Sequence, residues 1–330
     1  MRKIKWGVLG TAGIAWGQTI PGMKEAKNCR LYAIAGRNLE KAKQFQEEFG
    51  FEKAYGNYEE LLQDKEVEAI YIPLPNTMHY EWTIKALEAK KHVLCEKPLA
   101  PSEAEVRKMI ETAQKNGVIL MEAFAYLHSP FVKAIKEELE KKTIGEVVYM
   151  DSTFITSYYD EQNIRMRKDT FGGCLYDLGC YNTSQILWML DEEPDRIQAM
   201  SDFASNGVDM YTTAILNFKS GKKAFMNCGM VLYPEHDGYF DRIDRFCIHG
   251  SNGYIKSDTQ FNQAGNLQYV VAIGGKEEVK YVETPQNYGL EVEQMGRCIT
   301  EGEKPYVSNE FTIKNAKLLD SILDTIGYQR

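Results

Sequence analysis

The sequence is poor in several features that mark particular classes of protein. Its seven cysteines (29, 95, 174, 180, 228, 247 and 298) are scattered and none lies in a CxxC pair. An odd, dispersed count favours reduced thiols in a cytoplasm over a disulfide framework. The five histidines are dispersed as well. Because no His/Cys cluster has zinc spacing, we expect no metal site.

Long apolar runs and excess positive charge are also missing. No stretch approaches the roughly 20 apolar residues of a transmembrane helix. The basic start MRKIKWGVLG is followed at once by glycines and polar residues, which is not the pattern of a signal peptide. The formal net charge of -8 argues against nucleic acid or an anionic membrane as partner. We therefore expect a cytoplasmic protein, and its 330 residues suffice for one large domain or two ordinary ones.

What is present in the first third is an alternation of strand-like and helix-like segments. Strands are predicted at 3–10, 29–37, 53–57, 67–75, 92–96 and 118–124. Helices are predicted at 14–26, 38–50, 58–64, 78–90 and 102–117. Such alternation implies right-handed crossovers and a parallel, doubly wound sheet of the Rossmann type.

The pattern changes after one more helical segment at 131–142. Strand-like runs follow at 146–157, 197–205, 209–218, 222–232, 243–249, 253–257, 267–273 and 278–283. They predict a large, mostly antiparallel sheet, with helices at 180–190, 288–301 and 310–326 covering one side. We therefore predict an α/β fold with a dinucleotide-binding domain at 1–122 and a substrate-binding and oligomerisation domain at 123–330.

The first strand runs into GTAGIA at 10–15, a G-x-G-x-x-G/A pattern with alanine at the second glycine position. Gly10 would make the tight turn, Ala12 would let the backbone approach a pyrophosphate, and the next helix would point its N-terminus at the phosphates. We assign Gly10, Thr11, Ala12, Gly13 and Ile14 to the cofactor. The alternative is an ordinary glycine-containing βα turn.

The second strand ends in Gly36, Arg37 and Asn38, where an NAD site usually has a carboxylate for the ribose. Arg37 could pair with a 2′-phosphate instead. This favours NADP, with NAD still possible. The alternative is a solvated arginine at a helix start.

The fifth strand ends in HVLCEKPLA, which places Lys97 between Glu96 and Pro98. Doubly wound sheets bind ligands at the carboxyl ends of their strands, so an ammonium there could contact a reacting oxygen. Alternatively, Lys97 and Pro98 merely begin a loop. The motif by itself leaves both interpretations open.

Five motifs occur in order: GVLGTAGIA at the N-terminus, IPLPNTMHYEW at 72–82, CEKPLA at 95–100, MEAFAYLHSP at 121–130 and FGGCLYDLGCYN at 171–182. Together they resemble the Gfo/Idh/MocA oxidoreductase family over essentially the whole chain. Within the family, the chain resembles the branch of dimeric dihydrodiol dehydrogenases, xylose dehydrogenases and glucose-fructose oxidoreductases. The resemblance implies a Rossmann domain followed by a domain whose sheet commonly forms the oligomer interface, so we expect a homodimer or homotetramer.

The resemblance also implies roles for particular residues. Lys97 matches the catalytic lysine of the EKP motif, and the family's GG-x-x-x-D-x-G-x-[HY] motif ends in Asp177, Gly179 and Tyr181. The residues assigned beside the nicotinamide ribose are Pro73, Leu74, Asn76 and His79, and Glu96 and Lys97 are also assigned to the cofactor site.

Asp177 and Tyr181 lie four residues apart and would share one face of a helix. A nearby ammonium, which Lys97 could supply, would lower the pKa of a tyrosine and make it a better proton acceptor. Asp177 would then bind a substrate hydroxyl or orient the pair. The alternative makes Asp177 a helix cap and Tyr181 a core aromatic. Arg165 could bind substrate oxygens or be a solvated loop arginine.

These observations predict an NADP-preferring oxidoreductase that acts on a hydroxyl-bearing carbon of a sugar, polyol or vicinal diol. Two rival functions remain: a redox-neutral lyase or glycosidase with tightly bound NAD, and a cofactor-binding sensor without turnover. The polar segment 233–242 could border the cleft, with His236 exposed. The presence of Lys97, Asp177 and Tyr181 together favours an enzyme over a sensor.

Overall fold

The structure is a computed structural model that describes residues 2–233 and 240–329. His236 and most of the polar segment 233–242 therefore lie outside the described residues. Two compact units are formed, and each combines two separate stretches of the chain. The first unit contains Met1–Ser129 and Pro285–Ile313, and the second contains Pro130–Thr284 and Lys314–Arg330.

The first unit is built on a six-stranded parallel sheet with the order β3-β2-β1-β4-β5-β6. Its strands are β1 (Ile4–Leu9), β2 (Cys29–Ala35), β3 (Lys53–Tyr55), β4 (Ala69–Ile72), β5 (His92–Glu96) and β6 (Leu120–Ala123). The intervening helices are α1 (Ile20–Glu25), α2 (Leu39–Phe49), α3 (Tyr58–Gln63), α4 (Asn76–Glu88) and α5 (Glu103–Asn116). The predicted doubly wound sheet is confirmed.

Local sequence explains where these helices begin and end. The side chains of Asn38, Asn57 and Ser102 each accept a hydrogen bond from a backbone N–H in the first turn of α2, α3 and α5. Such caps satisfy a donor that the helix itself leaves unpaired. Arg37 lies between the end of β2 at Ala35 and the capping residue Asn38 of α2, so the cap limits where Arg37 can lie.

The second unit contains an eight-stranded sheet with the order β14-β13-β12-β11-β7-β10-β9-β8. Its strands are β7 (Val147–Ser157), β8 (Arg196–Phe203), β9 (Asp209–Asn217), β10 (Lys223–Leu232), β11 (Arg242–Gly250), β12 (Gly253–Ser257), β13 (Gly265–Ile273) and β14 (Lys276–Thr284). Among the described strands of this second sheet, only β7 and β10 pair in parallel. The predicted large, mostly antiparallel sheet is confirmed.

Helix α7 (Cys180–Leu190) covers one face of this sheet through a buried polar contact. Asn182 donates a hydrogen bond to Ser152 Oγ over 2.8 Å, and Ser152 donates one to Gln185 over 2.7 Å. Side chains alternate along β7, so Thr153 and Ile155 lie on the opposite face. Helix α6 (Pro130–Glu140) packs against β14, where Lys280 pairs with Glu138.

The prediction that segment 288–301 covers the second sheet is wrong. Helix α8 (Asn287–Glu301) belongs to the first unit, where it packs on α1. Asn28 Nδ2 donates a hydrogen bond to Glu293 O over 2.7 Å, and Gln286 Nε2 donates one to Gln18 O over 3.1 Å. Amphipathic periodicity identifies a helix but not the sheet that receives its apolar face, which explains the error.

The compact units also differ from the predicted division into 1–122 and 123–330. The first unit extends to Ser129 and includes α8, and the last helix, α9 (Asn309–Ile326), contributes residues to both units. None of the described helices is long and apolar enough to span a membrane.

Candidate active site

The glycine turn after β1 has the geometry that the sequence predicts. Gly10 has φ +128°, and a Cβ at this position would lie 2.9 Å from Leu74 Cδ2. A glycine is therefore required both by the backbone conformation and by the close approach of the loop after β4. Nothing lies within 4 Å of the Cβ position of Gly13. The turn thus has open space where a pyrophosphate would approach the backbone.

A π-helical turn at Ala15–Thr19 follows the glycine turn and leads into α1. The predicted helix at 14–26 is therefore present, but its first turn is wider than an α-helix. Such π turns often occur at functional sites. The turn buries the side chain of Thr19, whose hydroxyl lies 2.8 Å from that of Tyr71 on β4, the neighbour of β1 in the sheet.

Arg37 is exposed at the end of β2. Burial raises the pKa of Tyr58, and the Arg37 guanidinium opposes that rise, which locates the arginine beside the Tyr58 hydroxyl. Position 36 is glycine, and a Cβ there would lie only 3.1 Å from Thr11 Cγ2. Arg37 is thus an accessible cation next to the glycine turn.

The loops after β4 and β5 carry the other predicted cofactor residues. Leu74 is buried, Asn76 begins α4 half-buried, and Lys97 is half-buried directly after β5. In the parallel sheet Tyr71 pairs with Leu94, and both Ile72 and Glu122 pair with Cys95. Because side chains alternate along a strand, Tyr71, Leu94 and Glu96 share one face. Cys95 and Glu122 share the other face, and Lys97 follows Cys95 by two residues, just beyond the end of β5.

On the first face, Glu96 is held by a chain of hydroxyl groups. The Tyr71 hydroxyl donates a hydrogen bond to Glu96 Oε1 over 2.6 Å, and the Thr19 and Tyr71 hydroxyls are 2.8 Å apart. Burial raises the pKa of Tyr71 well above its usual value. Tyr71 therefore keeps its proton and orients the Glu96 carboxylate.

His79 joins the two loops. Its Nδ1 lies 2.8 Å from Pro98 O and its Nε2 lies 2.7 Å from Leu74 O. The ring is buried, and burial lowers the pKa of His79 although both carbonyls favour a charged ring. The structure thus engages both ring nitrogens with backbone groups, so any action of His79 on a cofactor runs through the loops it connects.

Glu122, for which no role was predicted, anchors the residue after Pro98. The Leu99 N–H donates a hydrogen bond to Glu122 Oε1 over 2.9 Å, and the carboxyl group is buried. Burial raises the pKa of Glu122 to about 7, while Leu99, Thr312 and Lys97 limit that rise. A carboxylate inside the apolar segment VILMEAF was the signal that could have identified it.

The second part of the predicted site begins at Gly173, which has φ +124°. A Cβ here would lie 1.8 Å from Asp209 Oδ1. Asp209 is buried at the start of β9, and its Oδ2 accepts hydrogen bonds from Leu175 N over 2.7 Å and from Cys174 Sγ over 3.1 Å. Burial raises the pKa of Asp209 to about 6. This carboxyl group, which sequence analysis also missed, fixes the start of the segment that carries Asp177.

The spacing of Asp177 and Tyr181 predicted that both lie on one continuous α-helix. The structure does not show such a helix. Leu175–Gly179 forms a π-helical turn, and α7 begins at Cys180. Gly179 allows this turn because a Cβ there would lie 2.5 Å from Leu175 Cδ1. A wider turn therefore replaces the predicted regular helix at Asp177, and both Asp177 and Tyr181 act electrostatically on Arg165. That the two side chains face one cleft stays a prediction.

Tyr181 is surrounded by groups that are far apart in the sequence. Its ring centroid lies 5.5 Å from that of Phe154 and 5.0 Å from that of Phe261. Asn262, whose left-handed φ of 62° suits asparagine, donates a hydrogen bond from Nδ2 to the Tyr181 hydroxyl over 3.3 Å. Tyr181 is half-buried, so its hydroxyl is oriented without being sealed from solvent.

Two arginines near Tyr181 are each paired with a carboxylate. Arg165 Nε donates a hydrogen bond to Asp177 Oδ2 over 2.7 Å, and the charge of Asp177 raises the pKa of Arg165. Arg242 Nε donates a hydrogen bond to Asp244 Oδ1 over 2.6 Å. Burial lowers the pKa of Arg242, but Asp244 outweighs burial and the net change is upward. Both guanidinium groups interact favourably with a negative charge on Tyr181.

The structure therefore brings the predicted residues together in two groups. Gly10, Pro73, Leu74, His79 and Lys97 belong to the first unit, and Arg165, Asp177 and Tyr181 belong to the second. The pairing of Lys97 with Tyr181 stays a prediction. Within the described residues, no group of three or more His, Cys, Asp or Glu side chains could hold a metal ion.

Family models match both parts of the chain. Residues 4–124 match the model described as oxidoreductase family, NAD-binding Rossmann fold, of the Gfo/Idh/MocA type. Residues 132–256 match the Gfo/Idh/MocA C-terminal domain. Together the two matches cover most of the chain.

Individual relatives agree with these models over nearly the full length. A D-xylose 1-dehydrogenase (NADP(+)) of Haloferax volcanii is 33% identical, with 97% of this chain and 96% of the relative aligned. A trans-1,2-dihydrobenzene-1,2-diol dehydrogenase of Xenopus laevis is 30% identical over 98% of both chains. The crystal structure of KijD10, a 3-ketoreductase from Actinomadura kijaniata in complex with NADP and TDP-benzene, superposes with a TM-score of 0.90, 28% identity and 98% coverage of both chains.

The predictions of fold, enzyme class and nicotinamide cofactor are therefore confirmed. The chain belongs to the Gfo/Idh/MocA family and is an NAD(P)-dependent oxidoreductase.

Proposed function

We propose that this enzyme prefers NADP and transfers hydride between the nicotinamide and a hydroxyl-bearing carbon of a sugar, polyol or vicinal diol. The observation that carries the proposal is Lys97, half-buried at the carboxyl end of β5 and followed by two residues whose backbone is held by His79 and Glu122. A solvated loop lysine has no need of such anchoring. The relatives named above act on a sugar and on a diol, as their names state.

The residues of the glycine turn fit a dinucleotide. Gly10 and the open Cβ position of Gly13 allow the backbone to approach a pyrophosphate, and Arg37 is accessible for a 2′-phosphate. Thr11, Ala12 and Ile14 would line the same turn. The residues after β4 and β5, including Pro73, Asn76 and Glu96, would hold the nicotinamide ribose. When bound, the nicotinamide supplies the hydride acceptor or donor.

Lys97 and Tyr181 would both act on the reacting hydroxyl group, one by stabilising charge and the other by transferring the proton. During oxidation Tyr181 would act as the phenolate and take the O–H proton. The hydride would leave the same carbon for the bound nicotinamide, and the C–O bond would become a carbonyl. The Lys97 ammonium stabilises the negative charge that grows on the oxygen. Reduction reverses each step, and Tyr181 then returns the proton. Asn262 orients the Tyr181 hydroxyl for this exchange.

Charge pairing in the second unit favours a neutral substrate. Asp177 balances Arg165 and Asp244 balances Arg242, so these four groups carry no net charge. Paired in this way they can still donate and accept hydrogen bonds from hydroxyl groups next to the reacting carbon. The aromatic rings of Phe154 and Phe261 beside Tyr181 offer an apolar surface for the C–H face of a sugar or for a ring-bearing diol.

The test is a nicotinamide absorbance assay. Purified enzyme is mixed with NADP+ or NAD+ and a panel that contains D-xylose, other aldoses, inositols and vicinal diols. We expect the absorbance of reduced nicotinamide to rise with at least one neutral polyol. We expect kcat/KM to be higher with NADP+ than with NAD+. Substrate consumption without net cofactor reduction would support the redox-neutral lyase, and tight cofactor binding without any turnover would support the sensor.

We further propose that the enzyme is cytoplasmic and forms a homodimer or homotetramer through the second unit's sheet. None of the seven cysteines, all of which lie in the described residues, forms a disulfide bond, as expected in a reducing compartment. On the face opposite α7, the exposed side chains of Ile215 and Ile243 are 44% and 37% accessible. Light scattering after size exclusion tests this: Ile243→Lys should lower the measured mass, and a monomeric wild type contradicts the proposal.

A further inference from the structure

The surroundings of Lys97 contain a buried carboxyl group that no step of the proposed reaction uses. Glu122 is 3% exposed on β6. It pairs in the sheet with Cys95, two residues before Lys97, and the charge of Lys97 acts on its carboxyl group. Position in the sheet, rather than proximity in sequence, brings these two charged groups together.

Glu122 makes a specific backbone contact beside Lys97. Its Oε1 accepts the Leu99 N–H over 2.9 Å, one residue after Pro98, whose carbonyl lies 2.8 Å from His79 Nδ1. The two residues after Lys97 are thus held from α4 on one side and from β6 on the other. A simple loop anchor needs only a neutral acceptor, yet the chain places an ionisable group there, at a cost in desolvation.

The other charged and titratable groups facing Glu122 come from a few elements. Glu96, Lys97 and Cys95 lie on or just after β5, and Thr312 of α9 hydrogen-bonds to the carboxyl group. Lys97 favours the carboxylate and Glu96 opposes it. Lys97 is therefore the cation among these groups that compensates a charge on Glu122.

We propose that Glu122 is the positioning residue of Lys97: its carboxylate fixes the Leu99 peptide group and places a negative charge beneath the ammonium, so that Lys97 stays protonated and directed at the substrate oxygen. The inference rests on the proposed role of Lys97. Glu122 would then be the ionic partner of Lys97 within the same unit.

The test measures Lys97 itself and does not require turnover. Intact enzyme is acetylated with trace acetic anhydride at several pH values, and peptide mass spectrometry compares Lys97 with the exposed Lys223. Glu122→Gln keeps an oxygen that accepts the Leu99 N–H but removes the charge. At pH 8.5 we expect Lys97 to react about tenfold faster in this variant, because an opposite charge nearby shifts a lysine pKa by about one unit or more.

The pH dependence separates a charge effect from a structural one. Because the pKa of Glu122 is about 7, its charge is present above that value and lost below it. Wild type and Glu122→Gln should therefore react alike at low pH and diverge as the pH rises through about 7. A purely structural anchor predicts equal reactivity at every pH, and that result overturns the proposal.

Glu291→Gln is the matched control. Glu291 is also a fully buried carboxyl group of the first unit, but burial and then the charge of Glu96 raise its pKa well above the usual value. Because burial disfavours the charged form of Glu291, its replacement by glutamine should leave Lys97 labelling unchanged. If Lys97 responds to Glu122→Gln while no substrate is turned over, the ionic pairing stands and the proposed function fails.

Discussion

The Lys97 loop and the Tyr181 turn are built in different ways. The Lys97 loop continues a regular parallel strand, and its backbone is fixed by two buried side chains from neighbouring elements. The Tyr181 segment begins with a glycine at φ +124°, passes through a π-helical turn and is surrounded by side chains from distant strands and loops. Regular structure positions a charge accurately at a strand end, whereas an irregular turn lets the second group be oriented by its neighbours.

Removal of the Lys97 ammonium should have the largest effect. Lys97→Ala should lower kcat by about 10³-fold or more, because a preorganised charge at a developing alkoxide contributes on that scale. NADPH affinity, measured by fluorescence titration, should change by only a few fold. Full turnover in Lys97→Ala would contradict the assigned mechanism.

Removal of the Tyr181 hydroxyl should come next. Tyr181→Phe keeps the ring contacts with Phe154 and Phe261 and removes only the proton acceptor, so kcat should fall by about 10²-fold while thermal stability is nearly unchanged. The double variant with Lys97→Ala should be much less impaired than the product of the two single effects, since both residues act on one hydroxyl. Multiplicative effects in steady-state kinetics would show that the two groups act independently.

Asp209 tests how the irregular segment is stabilised. Its folded pKa of about 6 lies above the ordinary 3.8, so the folded protein binds this proton more tightly than the unfolded chain does. Stability therefore falls as the pH rises from about 4 to about 6, by about 3 kcal/mol at about 1.4 kcal/mol per pKa unit. Urea unfolding of wild type and Asp209→Asn at pH 4, 5 and 6 should show this slope only in the wild type. Parallel curves would rule out the titration of Asp209.

Arg37 should give the smallest effect, confined to the cofactor. Arg37→Ala should weaken NADPH binding by about 10-fold to 100-fold, the range of about 1.5–3 kcal/mol for a hydrogen bond to a charged group. NADH affinity should change less than about twofold on the same reasoning. Arg30→Ala, an exposed arginine at the start of the same strand that pairs with Glu52, is the matched control. Equal losses for both cofactors would indicate that Arg37 does not contact a 2′-phosphate.

The same contrast explains how much the sequence could reveal. The alternation of strands and helices predicted both sheets and the position of Lys97, because strand ends follow directly from local pattern. It did not predict the π-helical turns, since a one-residue change in hydrogen bonding leaves no mark on periodicity. Phe261 and Asn262 could not be assigned either, because only the pairing of distant strands brings them to Tyr181. Glu122 and Asp209 could be recognised in the sequence as acids next to apolar runs. Only the three-dimensional structure shows that they bind the backbone N–H groups of Leu99 and Leu175.

The placement of α8 has a consequence for how the protein is made. The chain passes from one unit to the other three times, after Ser129, Thr284 and Ile313. A ribosome therefore releases all six strands of the first sheet long before it releases the helix that covers α1. Domains tend to fold as units during synthesis, but this one must wait for α8, which follows all eight strands of the second sheet in the chain. A fragment that stops at Ser129 would leave the α8-facing side of α1 bare, and a nucleotide-binding half cut at that point would not be an independent module.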